Sequence, residues 1–294
     1  MTKRYPKNPQ AWRVNLGDEV GLPNICDRNC AGCYDDYGST SLRESPPDRR
    51  RDLYKALGEN WFPSTWKLKP KWRTAIQDHF KNSTKSKLFL FTGRGDPLFY
   101  LPCIEAYMKT YKELGYTGYA SVSTSASLLD KKKLNFLINI GIDEINFNLG
   151  ATDFKQETLD KMKMVKQKMN VATELPLLSI YEEKLLENLS FLNSIGLSYL
   201  TLAVTRIYSR AGAEKLQQVL PGDTKITQLS EKEACIENEP MAGRIMKEIR
   251  RRGYNIPVFY QSSDGDVREA IKFKNDANNP YLGGIYFVDD KTLS

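Results

Sequence analysis

The stretch Leu88-Phe89-Leu90-Phe91-Thr92-Gly93-Arg94-Gly95-Asp96-Pro97-Leu98 sets the architecture. Its four apolar residues form a compact strand, and Gly93 ends it in a turn. An amphipathic helix follows over 104–114, closed by Gly115. Further along, strands at 119–124, 144–149, 171–178 and 199–207 alternate with helices at 131–140, 156–168, 182–195 and 231–252. Working back, 12–16 reads as a first strand, and the Arg-, Pro- and Trp-rich segment 39–85 holds one or two helices broken at Pro46-Pro47 and Pro63. Gly115, Gly141, Gly196 and Gly253 each fall where a helix must stop, and glycine relieves the left-handed strain of a C-cap.

Alternating strands and helices imply parallel strands joined by right-handed crossovers. Six units are too few for a closed eight-fold barrel, which leaves an open six-stranded barrel or a doubly wound sheet. In both, chemistry collects at the carboxyl ends of the strands. Two further strands are expected at 255–260 and 284–288, in a tail with no composition of its own. The expected organisation is one domain: a core over 1–207, with 208–294 carrying the sixth helix and a C-terminal extension packed on it.

The chain of 294 residues is 40% hydrophobic and 11% aromatic, ample for a core. No apolar run approaches the roughly 20 residues needed to span a bilayer, and the charges at the N-terminus precede no apolar segment, so no secretory signal is expected. A cytoplasmic location follows, and a reducing compartment argues against a disulfide framework for five cysteines. The net charge of +7 suits an acidic partner or a solvated basic surface. Arg49-Arg50-Arg51, Lys131-Lys132-Lys133 and Arg250-Arg251-Arg252 lie far apart in sequence, so none marks a nucleic-acid groove.

Cys26, Cys30 and Cys33 fall within eight positions, spaced C-x3-C-x2-C, on the loop leaving the first strand. Three thiolates so close can take three corners of a [4Fe–4S] cluster and leave the fourth iron open. A structural zinc would need a fourth ligand, for which Cys103, Cys235 and the lone histidine, His79, are the candidates. None of these has a partner at finger-like spacing, and buried structural thiols are the remaining reading.

In this arrangement the sequence resembles the radical S-adenosylmethionine (SAM) superfamily over roughly 12–207. C-x3-C-x2-C is that family's cluster motif, and Thr92-Gly93-Arg94-Gly95-Asp96-Pro97 is similar to its Gly-Gly-Glu-Pro segment, with Asp96 in place of Glu and Arg94 intervening. The resemblance implies a partial (β/α)6 TIM-like barrel, with Cys26, Cys30 and Cys33 as ligands of a single [4Fe–4S] cluster whose open iron binds SAM. It implies SAM contacts from Thr92, Gly93, Gly95, Asp96 and Pro97, from Ser123, Thr124 and Ser125 on the next strand end, and from Tyr34 against the adenine. Asn146 and Asn148 alternate along one strand and so share a face. Glu174 and Arg206 follow on later strands, and these four complete the expected cofactor-binding set.

The activity so implied is reductive cleavage of SAM to a 5′-deoxyadenosyl radical that takes hydrogen from a substrate. Cys235, expected near the start of the sixth helix, is a candidate hydrogen donor or a buried helical thiol. The expected substrate is a ribosomal precursor peptide, undergoing epimerisation or backbone excision. The flank 1–10 is too short for peptide recognition, so a separate leader-binding protein is expected, besides a flavodoxin- or ferredoxin-like electron donor. The same chemistry on a small metabolite or nucleotide is the rival, and a non-catalytic zinc or nucleic-acid-binding protein is the reading from another class.

Overall fold

The computed structural model describes residues 3, 9–16, 67–93, 95–207, 216–218, 220, 226–230, 233–236, 238–261 and 285–287. Cys26, Cys30, Cys33 and Tyr34 lie outside them, as does most of segment 39–85.

In chain order the elements are β1 (Pro9–Leu16), α1 (Pro70–Phe80), β2 (Ser86–Gly93), α2 (Leu101–Glu113), β3 (Tyr119–Thr124), α3 (Lys131–Ile140), β4 (Glu144–Asn148) and the short α4 (Leu149–Thr152). There follow α5 (Gln156–Lys166), β5 (Asn170–Pro176), α6 (Glu182–Ser194), β6 (Leu200–Ala203), β7 (Thr205–Ile207), β8 (Ile226–Ser230), β9 (Glu233–Ile236), α7 (Glu239–Arg251), β10 (Val258–Gln261) and β11 (Ile285–Phe287). One sheet runs β1-β2-β3-β4-β5-β6-β10-β11, and all its neighbours are parallel except β10 and β11. It curls into an α/β half-barrel, the TIM-like partial barrel expected. The two further strands expected in the tail are present: β10 continues the parallel sheet beside β6, and β11 pairs antiparallel with β10.

The cross-strand register separates the two faces. Phe91, Val122, Ile145 and Val171 lie side by side on one face. With the inner stripes of the helices they form a continuous apolar core, whose burial is the main stabilising term. Helix α1 reaches that core through aromatic edges: Trp12 on β1 meets Trp72 and His79 edge-on, with ring centroids 6.5 and 5.0 Å apart. The opposite, concave face carries a small apolar cluster apart from that core, Leu88 with Tyr119 and Leu90.

Two expectations are corrected after β6. The strand expected over 199–207 stops at Ala203; Thr205–Ile207 pairs instead with β9, in a separate antiparallel sheet ordered β7-β9-β8. The helix expected over 231–252 begins only at Glu239, where the Asn238 side chain accepts from the Met241 amide at 3.2 Å and Pro240 opens the first turn. Cys235 therefore lies on strand β9, opposite Arg206, and not on a helix. The four helix-closing glycines all hold left-handed φ, from +63° at Gly196 to +94° at Gly141. Gly118 serves differently: a Cβ there would collide with the Lys87 carbonyl and the Tyr111 hydroxyl.

Candidate active site

Polar side chains on the concave face fall into rows fixed by strand register. At the amino end, Ser121 pairs across to Glu144 and Glu144 to Asn170. Ser123, Asn146 and Ala172 form the middle row. Asn148, Glu174 and Thr201 form the row nearest the carboxyl ends.

The lowest row is a closed floor. Glu144, fully buried, accepts from Tyr199 Oη at 2.6 Å, Ser121 Oγ at 2.8 Å and Tyr119 Oη at 2.9 Å. Asn170 Nδ2 donates in turn to the Tyr119 hydroxyl at 2.9 Å. Burial pushes the Glu144 carboxyl above its ordinary range, and the three hydroxyls pull it part of the way back. Burial, and then the Glu144 charge, push the Tyr199 hydroxyl well up, so it stays a donor. Glu144 is missing from the expected site, although the alternation that singled out Asn146 and Asn148 puts it on the same face.

Above the floor, Asn146 is 8% exposed and its Oδ1 finds no hydrogen-bond partner among the described residues. A buried amide oxygen left dry costs roughly 1–3 kcal/mol, so this row is built to receive a donor. Asn148, by contrast, is partly used: its Oδ1 accepts from the Ala151 amide at 3.0 Å and caps α4. Glu174 stands half-buried beside it.

At the carboxyl end, Gly95 turns the chain at φ +82°. Asp96 then caps the 3-10 turn Pro97–Phe99 by accepting from the Leu98 amide at 3.0 Å. The rest of its carboxylate crosses to the end of β3. Thr124 Oγ1 lies 2.6 and 2.8 Å from its two oxygens, and Ser125 donates from N at 2.9 Å and from Oγ at 2.6 Å. Asp96 is only 2% exposed; burial raises its carboxyl, and the hydrogen bonds from Ser125, Thr124 and Leu98 oppose that rise. The expected residues of β2 and β3 are thus brought together, with three of them, Asp96, Thr124 and Ser125, bonded to one another. Ser123 and Thr92 are half-buried.

Arg206 does not join this group by its strand, because β7 has left the main sheet. Of the candidate fourth zinc ligands, Cys103 is placed in the core and His79 among aromatic rings. Cys103 is fully buried on α2, where burial raises its thiol and keeps it neutral. His79 packs edge-on against Trp12 and Phe80. Among the described residues no three His, Cys, Asp or Glu side chains are grouped to hold a metal ion, and no helix is long and apolar enough to cross a membrane.

No protein-family model matches the sequence, and no curated protein matches it. Solved structures do match. Streptococcus suis SuiB bound to S-adenosylmethionine aligns over 91% of this chain and 54% of its own, at 13% identity and TM-score 0.52. The same protein bound to precursor peptide SuiA aligns over 87% and 49%, at 13% identity and TM-score 0.50. Native anSMEcpe with bound AdoMet and Cp18Cys peptide aligns over 85% and 63%, at 11% identity and TM-score 0.51. The chain thus spans between about half and under two thirds of the length of these proteins. At such identity the likeness is one of fold alone, the α/β half-barrel described above.

Proposed function

We propose that this chain is a radical SAM enzyme whose cluster is held by Cys26, Cys30 and Cys33 and whose SAM lies across the carboxyl ends of β2 to β6. The observation that carries the reading is the unpartnered, buried Asn146 Oδ1 on a polar concave face, beneath the joined ends of β2 and β3. The donor set fits the group: three thiols within eight residues, in the sequence that follows β1, would leave one iron free for a ligand. Held by Cys26, Cys30 and Cys33, a [4Fe–4S] cluster would supply one electron for reductive cleavage of the SAM sulfonium. The chain's own work is to bind, orient and exclude water. The main chain of 92–97 approaches the methionine end, Ser123 and Asn146 offer hydrogen bonds to sugar or carboxylate oxygens and donors, and Glu174 and Asn148 line the rim. We read the chain as one domain, in which α7 and β10, from 208–294, share the sheet and core built by the strands before them. Cys235, paired with Arg206 across β7 and β9, remains a candidate hydrogen donor from the neighbouring sheet.

The substrate we favour is a precursor peptide, because SuiB, of the same fold, is described bound to its precursor peptide SuiA. A separate leader-binding protein and a flavodoxin- or ferredoxin-like donor, all in the cytoplasm, complete the reading. Anaerobic reconstitution tests it: a brown protein with about four irons and four sulfides per chain, yielding 5′-deoxyadenosine on reduction with SAM, is expected. Alanine at Cys26, Cys30 or Cys33 should abolish both properties. A colourless protein holding one zinc sinks the proposal. Mass spectrometry of a candidate precursor peptide after turnover then separates excision, which loses mass, from epimerisation, which does not.

A further inference from the structure

The loop 123–127 is fastened from two sides. From the turn after β2, Asp96 takes the Thr124 hydroxyl and both the amide and hydroxyl of Ser125. From α5, Lys161 Nζ donates to the Ala126 carbonyl at 3.1 Å and to the Ser127 carbonyl at 2.7 Å, while pairing with Glu157 at 2.7 Å. Between these fastenings Ala126 sits at φ +57° and is 1% exposed. That is the left-handed region, disfavoured for a residue with a Cβ, so an unfastened loop would relax away from it. The Asp96 carboxylate accepts from four donor groups, Leu98 N, Thr124 Oγ1, Ser125 N and Ser125 Oγ, which occupy its acceptor directions. Little of it remains for a ligand.

We propose that Asp96 and Lys161 are positioning residues that lock loop 123–127 onto the end of β2, so that both segments meet a ligand as one preformed surface. The proposal rests on the reading of this end as the SAM site, and it reassigns Asp96 from contacting SAM to holding what does. Preorganisation of this kind lowers the ordering cost of binding and acts on affinity before it acts on chemistry.

Two measurements test it. Amide hydrogen exchange on the ligand-free full chain needs no turnover. Asp96→Asn, whose amide nitrogen would oppose a donor, should raise exchange at both Leu98 and Ser125. Lys161→Met should raise it over 125–127 and leave Leu98 unchanged. An unaltered Ser125 amide in Asp96→Asn overturns the lock, whether or not the protein uses SAM. In the reconstituted enzyme, each variant should keep its iron and sulfide and its kcat within about twofold while KM for SAM rises about tenfold. An S-adenosyl sulfonium lacking the α-amino group should weaken by the same factor. If Asp96→Asn weakens SAM but not that analogue, the carboxylate touches the ammonium directly and the proposal fails. Should Asp96→Asn not fold, Lys161→Met, which keeps its aliphatic stem, carries both measurements. Wild-type protein that binds a cluster but never cleaves SAM overturns the SAM reading alone, and the exchange result still decides the lock.

Discussion

Replacing Tyr199 by Phe removes one hydroxyl from the floor of the half-barrel and little volume. The lost bond, 2.6 Å to Glu144 Oε1, is the shortest of the three on that carboxylate. A hydrogen bond to a charged group contributes roughly 1.5–3 kcal/mol and a neutral one roughly 0.5–1.5 kcal/mol. The cost must therefore depend on pH. Burial raises the folded pKa of Glu144 above its ordinary value of 4.5, so the folded state binds the proton more tightly than the unfolded chain. Stability from this group is complete below the unfolded value and is lost as pH rises through the folded one. Tyr199→Phe takes away a bond that lowers that pKa, so in the variant the loss extends to higher pH. We expect a penalty of about 1 kcal/mol where the carboxyl is protonated, growing to about 2–3 kcal/mol as pH rises through its raised folded value. Urea unfolding followed by far-ultraviolet circular dichroism, at matched slopes for the two proteins, measures it. A penalty that does not grow as pH is raised, or that stays below about 0.5 kcal/mol throughout, refutes the account of a buried carboxyl floor.

Asn146→Val should trade function for stability. Removing the unpartnered Oδ1 is expected to raise unfolding free energy by about 1 kcal/mol while weakening SAM binding about tenfold, read by the urea midpoint and by ligand titration. Gly118→Ala should cost several kcal/mol, roughly the overpacking range or beyond, because the new Cβ falls on the Lys87 carbonyl and the Tyr111 hydroxyl; a thermal melt unchanged from wild type would contradict that.

The parts of the fold that were legible in the sequence are those with local punctuation. Strand β3 and helix α3 match their expected limits because Asp130 accepts from the Lys133 amide at the start of α3 and Gly141 turns left-handed at its end. Residues 233–236, expected as the start of a helix, form a strand instead, for a complementary reason. The run of charged residues there merges with the true helix, and only the cap at Asn238 and the proline at 240 mark where that helix begins. Alternation showed that Asn146 and Asn148 share a face, but alternation cannot say which sheet a strand end joins. Arg206, two residues past the break at Val204, was therefore assigned to the wrong one. That Asp96, Thr124 and Ser125 close on one another is a tertiary fact; 28 residues separate the first two, and no local pattern links them.

The separation of the two sheet faces bears on how such a chain changes over generations. Along each strand, even and odd positions answer to different demands: bulk and greasiness on the helix side, hydrogen-bonding pattern on the hollow side. A lineage can rewrite the second set one residue at a time without disturbing the first, which asks only for apolar volume. That freedom suits a fold shared at 13% identity. It ends at the floor, where Glu144 ties hydroxyls from β3 and from the start of β6 into one knot. There a single substitution strands a buried carboxyl group, and novelty must come in compensated pairs or not at all.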